Sequence, residues 1–227
     1  MVAKERMRSP FKKVKKLKVM MQVVNLSKNA PEYPPSLALY LGNQAPENIA
    51  CLGNINVLNN KKLSLFCSVK CPGNLILQTY DLARNLRQEG ITVISGFHSP
   101  MEQECLKILL RGTQPVIVCP ARSIYGMRLK KEFKQPLADG RLLLLSPFTK
   151  DKHRVTTENA IIRNRFVAAV ADSIFVAHAA SGSKMEQFYR EIIAWRKPLY
   201  MLEDAANDYQ ISLGAIPVRS DSKSQWA

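Results

Sequence analysis

Residues 63–96 read LSLFCSVKCPGNLILQTYDLARNLRQEGITVISG, and their pattern changes twice. Leu63–Cys67 is a short apolar run followed by a turn ending Cys71-Pro72-Gly73, the pattern of a strand covered on both faces. A helical stripe follows, with Ile76, Tyr80 and Ala83 in line and Leu82 and Leu86 beside them, stopped by Gly90. Ile91–Ser95 is apolar again and turns out at Ser95-Gly96. Strand, helix and strand in so short a span form a βαβ unit, whose crossover makes the two strands parallel.

The alternation continues downstream. Ser99-Pro100-Met101-Glu102 is a capping box with Pro at the first helical position, and the helix it opens carries Met101, Cys105 and Ile108 on one face. Pro115–Cys119, Arg141–Leu145, Ser173–Ala177 and Leu199–Leu202 read as strands, and Arg128–Ala138, Glu158–Val170 and Ser183–Trp195 as helices. Ile161, Ile162, Phe166, Val167 and Val170 are expected to face inward, and Phe188 and Trp195 to belong to the core. The pattern predicts an α/β fold: a doubly wound, mostly parallel, Rossmann-like sheet with helices on both faces. Residues 30–62, rich in Pro, Asn and Gly, show no sustained period. The expected organisation is a flexible basic arm over residues 1–29, one Rossmann domain over 30–218 and a short tail over 219–227.

Composition narrows the function. With 227 residues, 46% hydrophobic and 22% charged, the chain has enough apolar surface for one core and is neither collagen-like nor wholly disordered. No apolar run approaches the roughly 18 residues of a membrane span, and no signal peptide is evident, so a cytoplasmic protein without membrane partners is expected. The five cysteines are odd in number and read as reduced thiols; Cys67 and Cys71 have no second pair to complete a zinc site, so no metal is expected. The net charge is +15, of which residues 1–18 contribute +7 and the remaining chain +8. Such a field favours polyanions, nucleic acid first.

In a doubly wound sheet, ligands bind beyond the carboxyl ends of the strands, where helices start. The segments there are Ser68–Gly73, Ser95–Ser99, Cys119–Tyr125 and His178–Ser183, rich in Ser and Gly with Lys and Arg between them. Neither a GxGxxG fingerprint nor a P-loop is present, which argues against dinucleotide binding and P-loop hydrolysis; no cofactor is expected. Tyr125 is the aromatic candidate for contact with a base. His98, His153 and His178 are not spaced with any nucleophile.

The spacing of these pieces resembles the DNA-processing protein A (DprA/Smf) family of the Rossmann-like SLOG group. The resemblance runs from Tyr33-Pro34-Pro35-Ser36-Leu37 and Leu52-Gly53-Asn54 through Ser95-Gly96, Arg163-Asn164-Arg165 and Ser181-Gly182-Ser183 to Gly214-Ala215-Ile216-Pro217-Val218. It implies non-catalytic binding of single-stranded DNA in a basic pocket, with protection of incoming strands, RecA as a partner in natural transformation, and a homodimer. Carried over by position, Ser68 and Lys70 line the first loop, Ser95 and Gly96 the second, and Ser181, Gly182, Ser183 and Lys184 the last; Arg163 and Arg165 supply charge. Two apart at a helix start, the arginines point about 200° apart, so one reaches the pocket while the other braces the fold. Arg163, nearer the turn, is expected to bind.

The chain also departs from the family. Cys67-Ser68-Val69 replaces a Gly-Ser-Arg triplet, and Pro100-Met101-Glu102 and Cys105-Leu106 replace a Gly-Ile-Asp and Ala-His region. The alternative within the same superfamily is a nucleotide-ligand sensor or LOG-like phosphoribohydrolase. There, Gly182-Ser183-Lys184-Met185-Glu186 would make Glu186 catalytic, against the plainer reading of Ser183 to Glu186 as a helix cap. A scaffold that has kept the fold and lost its ligand is the third possibility. If the basic arm takes part in binding, deleting residues 1–18 lowers affinity for nucleic acid and flattens its salt dependence, because fewer counterions are released. Titrations across a salt series check this; an unchanged slope makes the arm a bystander.

Overall fold

The computed structural model describes residues 22–221, in which nine strands form a single sheet. The strands are β1 (Val24–Ser27), β2 (Asn48–Gly53), β3 (Lys62–Phe66), β4 (Thr92–Ser95), β5 (Val116–Val118), β6 (Leu142–Ser146), β7 (Ser173–Val176), β8 (Leu199–Leu202) and β9 (Ile216–Val218). Their spatial order is β1-β2-β6-β5-β4-β3-β7-β8-β9, and every pairing is parallel except those of β2 with β1 and β6. The helices are α1 (Ser36–Leu41), α2 (Gly73–Leu86), α3 (Pro100–Leu110), α4 (Lys131–Ala138), α5 (Thr157–Val170), α6 (Lys184–Ile193) and α7 (Asp208–Ser212). The fold is therefore the expected α/β, mostly parallel, doubly wound sheet.

From β3 the chain winds outward through β4, β5 and β6, then α5 carries it back to β7 on the other side of β3. This reversal opens a crevice above the carboxyl ends of β3 and β7. Successive residues of the central strands enter two separate cores: Leu63 and Leu65 pack with α2 and α3, while Phe66, Ile94 and Ile174 pack with α5 and α6. Burial on both faces explains why these strands read as unbroken apolar runs.

Three expectations need amendment. The sheet begins before residue 30, because Val24–Ser27 pairs with Asn48–Cys51 at the edge. With Leu26 its one buried residue, β1 carries too little apolar signal to be seen in the sequence. The stretch 30–62 contains α1 and β2 rather than irregular chain. Tyr33 donates its hydroxyl to the carbonyl of Pro46 at 2.6 Å, and at the end of β2 Gly53 (φ 124°) leaves no room for a side chain, since a Cβ would lie 2.4 Å from the carbonyl oxygen of Leu142. Ile161 and Ile162 are exposed, whereas Phe166–Val170 are all buried.

The inner end of α5 is closed by a lysine. Lys197 is 9% exposed and donates to the carbonyls of Ala168 and Ala169 at 2.8 Å each and to that of Ala171, while its ammonium lies 4.1 Å from the centre of the Tyr40 ring. Burial pushes its pKa down to about 7, opposed by the carboxylate of Asp172. Three carbonyls at a helix C-terminus suit an ammonium, which brings three donors and a charge of the right sign. Lys197→Met leaves those acceptors buried without donors and is expected to cost about 2–3 kcal/mol of stability in chemical denaturation. A loss below about 0.5 kcal/mol contradicts the capping role.

Candidate nucleic-acid interface

The loops after β3 and β7 are bonded to each other. Ser68 donates its backbone N–H to the carbonyl of His178 at 2.9 Å, and its hydroxyl accepts from the N–H of Ala180 at 2.9 Å and lies 3.2 Å from that of Ser183. Ser183 caps α6 by accepting from the N–H of Glu186 at 3.1 Å. Glu186 accepts in turn from the N–H of Gly182 at 2.7 Å, one residue before the cap, and from Arg190 at 3.0 Å. These two bonds hold its carboxyl below the usual range. His178 is also occupied, its Nδ1 lying 2.9 Å from the side-chain oxygen of Asn207.

The loop after β4 depends on two buried charges. Glu102 is 5% exposed and accepts from the N–H groups of Cys67 (3.1 Å), His98 (2.7 Å) and Ser99 (3.2 Å). The side chain of Ser99 accepts from the Glu102 N–H, completing the capping box of α3. Burial raises the Glu102 pKa, while Arg163 and the three N–H donors oppose the rise. Arg163 is 4% exposed and donates to the carbonyl of Cys119 at 3.1 Å and to the side-chain oxygen of Asn164 at 2.7 Å. Its guanidinium lies directly over Gly96, where a Cβ would come within 1.4 Å of Nη1. The Ser95 hydroxyl is spent on the turn itself, donating to the carbonyl of Leu65 at 2.6 Å and accepting from the N–H of Phe97 at 3.2 Å.

Beside these loops lies a groove of about 680 Å³ between the starts of α5 and α6, lined by Val69, His98, Thr156, Thr157, Asn164, Arg165, Lys184 and Glu191 among others. Two helix N-termini open towards it, and Lys70, Ser181, Gly182 and Lys184 are exposed at its rim or close by. Arg165 reaches the groove already paired, with Nε donating to Glu191 at 2.7 and 3.0 Å. Arg163, expected to face a ligand, is instead turned into the fold because only a glycine at 96 leaves space for it. Tyr125 stands apart, donating its hydroxyl to Asn25 on β1 at 2.6 Å with the Lys150 ammonium 4.9 Å from its ring centre.

The sequence reading did not single out the run Lys150-Asp151-Lys152-His153-Arg154, all exposed, between β6 and α5. This run is tied to the loop after β5, where Ser123 donates its N–H to the carbonyl of Lys152 at 2.7 Å. Lys70, Arg122, Lys150, Lys152, Arg154 and Lys184 all lie just beyond the carboxyl ends of strands, and among the described residues none of the six is in an ion pair. The density of basic residues was the available signal.

Fold and crevice together define a Rossmann-like protein whose loops present cations at the carboxyl edge of the sheet. The chain belongs to the DNA recombination-mediator protein A family, whose model matches residues 25–221. It is similar in structure to DNA processing protein A from Streptococcus pneumoniae, with a TM-score of 0.72 and 17% identity over 89% of this chain and 73% of that one. It is also similar to DNA processing protein A from Helicobacter pylori, described for its single-stranded DNA binding mode, with a TM-score of 0.71 and 20% identity over 87% of this chain and 91% of that one. No curated protein matches significantly.

The packing of Arg163 over Gly96 is testable by a double-mutant cycle. Arg163→Ala removes the one cation beside a buried carboxylate and is expected to cost about 3 kcal/mol. Gly96→Ala must displace the same guanidinium and is expected to cost about 2–3 kcal/mol. In the Arg163→Ala background, Gly96→Ala costs less than about 1 kcal/mol, because the obstructing group has gone. Additive losses in urea denaturation contradict the arrangement.

Proposed function

We propose that the carboxyl edge of the sheet binds single-stranded DNA without catalysis, the strand running over the loops that carry Lys70, Lys184 and the 150–154 run. The observation that carries this reading is the set of six cations in the loops beyond the carboxyl ends of the strands, none in an ion pair among the described residues, with Lys184 lining the groove where two helices begin. Asp151 is the one carboxylate in the loops leaving β3 to β7, and its hydrogen bond from Thr149 holds it below the usual range. A polyphosphate backbone needs such a track of positive charge together with exposed N–H groups. Family membership supports the same ligand, and the five free thiols suit a reducing, cytoplasmic setting. The reading extends, on the resemblance to the family, to a second copy of the chain and to RecA as protein partners.

Within this reading Ser68, Ser95, Gly96, Arg163 and Ser183 shape the loops, while Lys70, Ser181, Gly182 and Lys184 meet phosphate. Arg165 contributes when its pairing with Glu191 yields to a ligand. Tyr125 and Lys150 extend the track towards β1. The phosphoribohydrolase alternative would require Glu186 to be available to a ribose, yet one of its oxygens accepts from the Gly182 N–H at the start of α6 and the other is paired with Arg190 one turn on. Glu186→Gln is accordingly expected to leave DNA affinity unchanged, and no free base is expected from nucleoside monophosphates.

Lys70→Ala and Lys184→Ala should each weaken binding to all single strands alike and reduce the slope of log K against log salt by about 0.7 per lost contact. Lys107→Ala, on the flank of α3 and paired with Glu104 at 2.8 Å, serves as the control with no change. Slopes that stay equal in all three variants overturn the assignment of this edge.

A further inference from the structure

The two isoleucines of α5 that the helical stripe assigned to the core serve no core. Ile161 and Ile162 are 39% and 42% exposed, and both line a second groove, of about 720 Å³, between α1, α5 and the loop after β6. That volume falls within the roughly 300–1,000 Å³ of sites that take a small molecule. Leu41, Pro46, Pro147 and Phe148 complete a mostly apolar lining. The walls are fixed in advance: α1 packs along α5, Pro46 is held by the Tyr33 hydroxyl at 2.6 Å, and Phe148 donates its N–H to the Ser146 hydroxyl at 3.2 Å. Ser146 donates in turn to the carbonyl of Arg122 at 3.0 Å. Contiguous apolar surface left open on a rigid frame marks a binding site.

This groove is continuous with the one between α5 and α6, because Ile161 and Arg165 line both. Lys152, exposed and in no ion pair among the described residues, lines the apolar groove as well. Glu158 is the one carboxylate in that lining.

We propose that the apolar groove takes unpaired bases of a single strand whose phosphates lie on Lys152 and Arg165, and that it gives this edge a preference for single-stranded over duplex DNA. The proposal rests on the reading of the carboxyl edge as the DNA site. A single strand carries charge along its backbone and flat apolar faces beside it, and here cations stand beside aliphatic carbon in the same way. A purely apolar peptide would match the lining but leave the cations without a counterpart. Isoleucine and proline side chains meet the faces of all four bases alike, so the contact is tolerant of sequence. In a duplex those faces are stacked on one another and closed to the protein, so only its phosphates reach the lysines.

The test measures three ligands of equal length on the full chain: oligo(dT), an abasic strand with the same sugar-phosphate backbone, and a duplex. The wild-type chain is expected to bind oligo(dT) about fivefold or more tightly than the abasic strand, the lower end of what one base contact contributes. That comparison needs no variant. Ile162→Ser changes a residue that lines this groove and not its neighbour. It should weaken oligo(dT) about fivefold and leave the abasic strand and the duplex unchanged. Leu39→Ser, 74% exposed on α1 and lining neither groove, is the control with no effect. Equal binding of oligo(dT) and the abasic strand by the wild type overturns the base site and leaves the edge reading standing. So does an Ile162→Ser chain that binds oligo(dT) like the wild type, or one that loses all three ligands alike. A wild-type chain that binds none of the three overturns the edge reading, and the base site with it.

Discussion

The Arg163 guanidinium occupies the space that a side chain at residue 96 would fill, and it does so a short way from the buried carboxylate of Glu102. Each charge alone would be expensive to bury; together, and with their hydrogen bonds, they draw three loops into one shape. Glu102 gathers N–H groups from the loops after β3 and β4, and Arg163 reaches from α5 to the carbonyl of Cys119 at the end of β5. Ser68 and Ser183 continue the connection to the loop after β7. The carboxyl edge is thus a braced surface rather than a set of independent turns.

That bracing separates two kinds of polar group. Side chains turned into the fold, such as Arg163, Ser95 and Glu102, are satisfied by carbonyls and N–H groups and set the backbone. Side chains turned outward, such as Lys70, Lys152 and Lys184, are exposed and, among the described residues, in no ion pair. Positions held in advance reduce the ordering that a bound strand would require, which favours affinity at modest contact area. Between the two kinds stands Arg165, half-buried and shared between Glu191 and the groove.

Much of the fold was legible in the sequence because β3 to β8 are covered on both faces and announce themselves as apolar runs between capped helices. The edges were not. β1 has Leu26 as its one buried residue, and β9 has Val218, too little for any period to show. Ile161 and Ile162 match a helical stripe, but periodicity cannot tell a core from a groove, and both are exposed. At the site, the divergence of Arg163 and Arg165 followed from helix geometry. Which of them turns inward depends on the missing side chain of Gly96, a contact between residues distant in sequence. The 150–154 run was visible as charge, but its position beside the crevice required knowing that β6 ends next to β5.

The central claim is that DNA lies along the carboxyl edge. Photo-crosslinking of a 4-thiothymidine oligonucleotide to the full chain, with crosslinked peptides identified by mass spectrometry, tests it most directly. The account predicts crosslinks in the loops around residues 68–71, 122–125, 150–157 and 181–184. Crosslinks confined to the opposite edge of the sheet, around Asn60, Arg111 and Asp139, would contradict it.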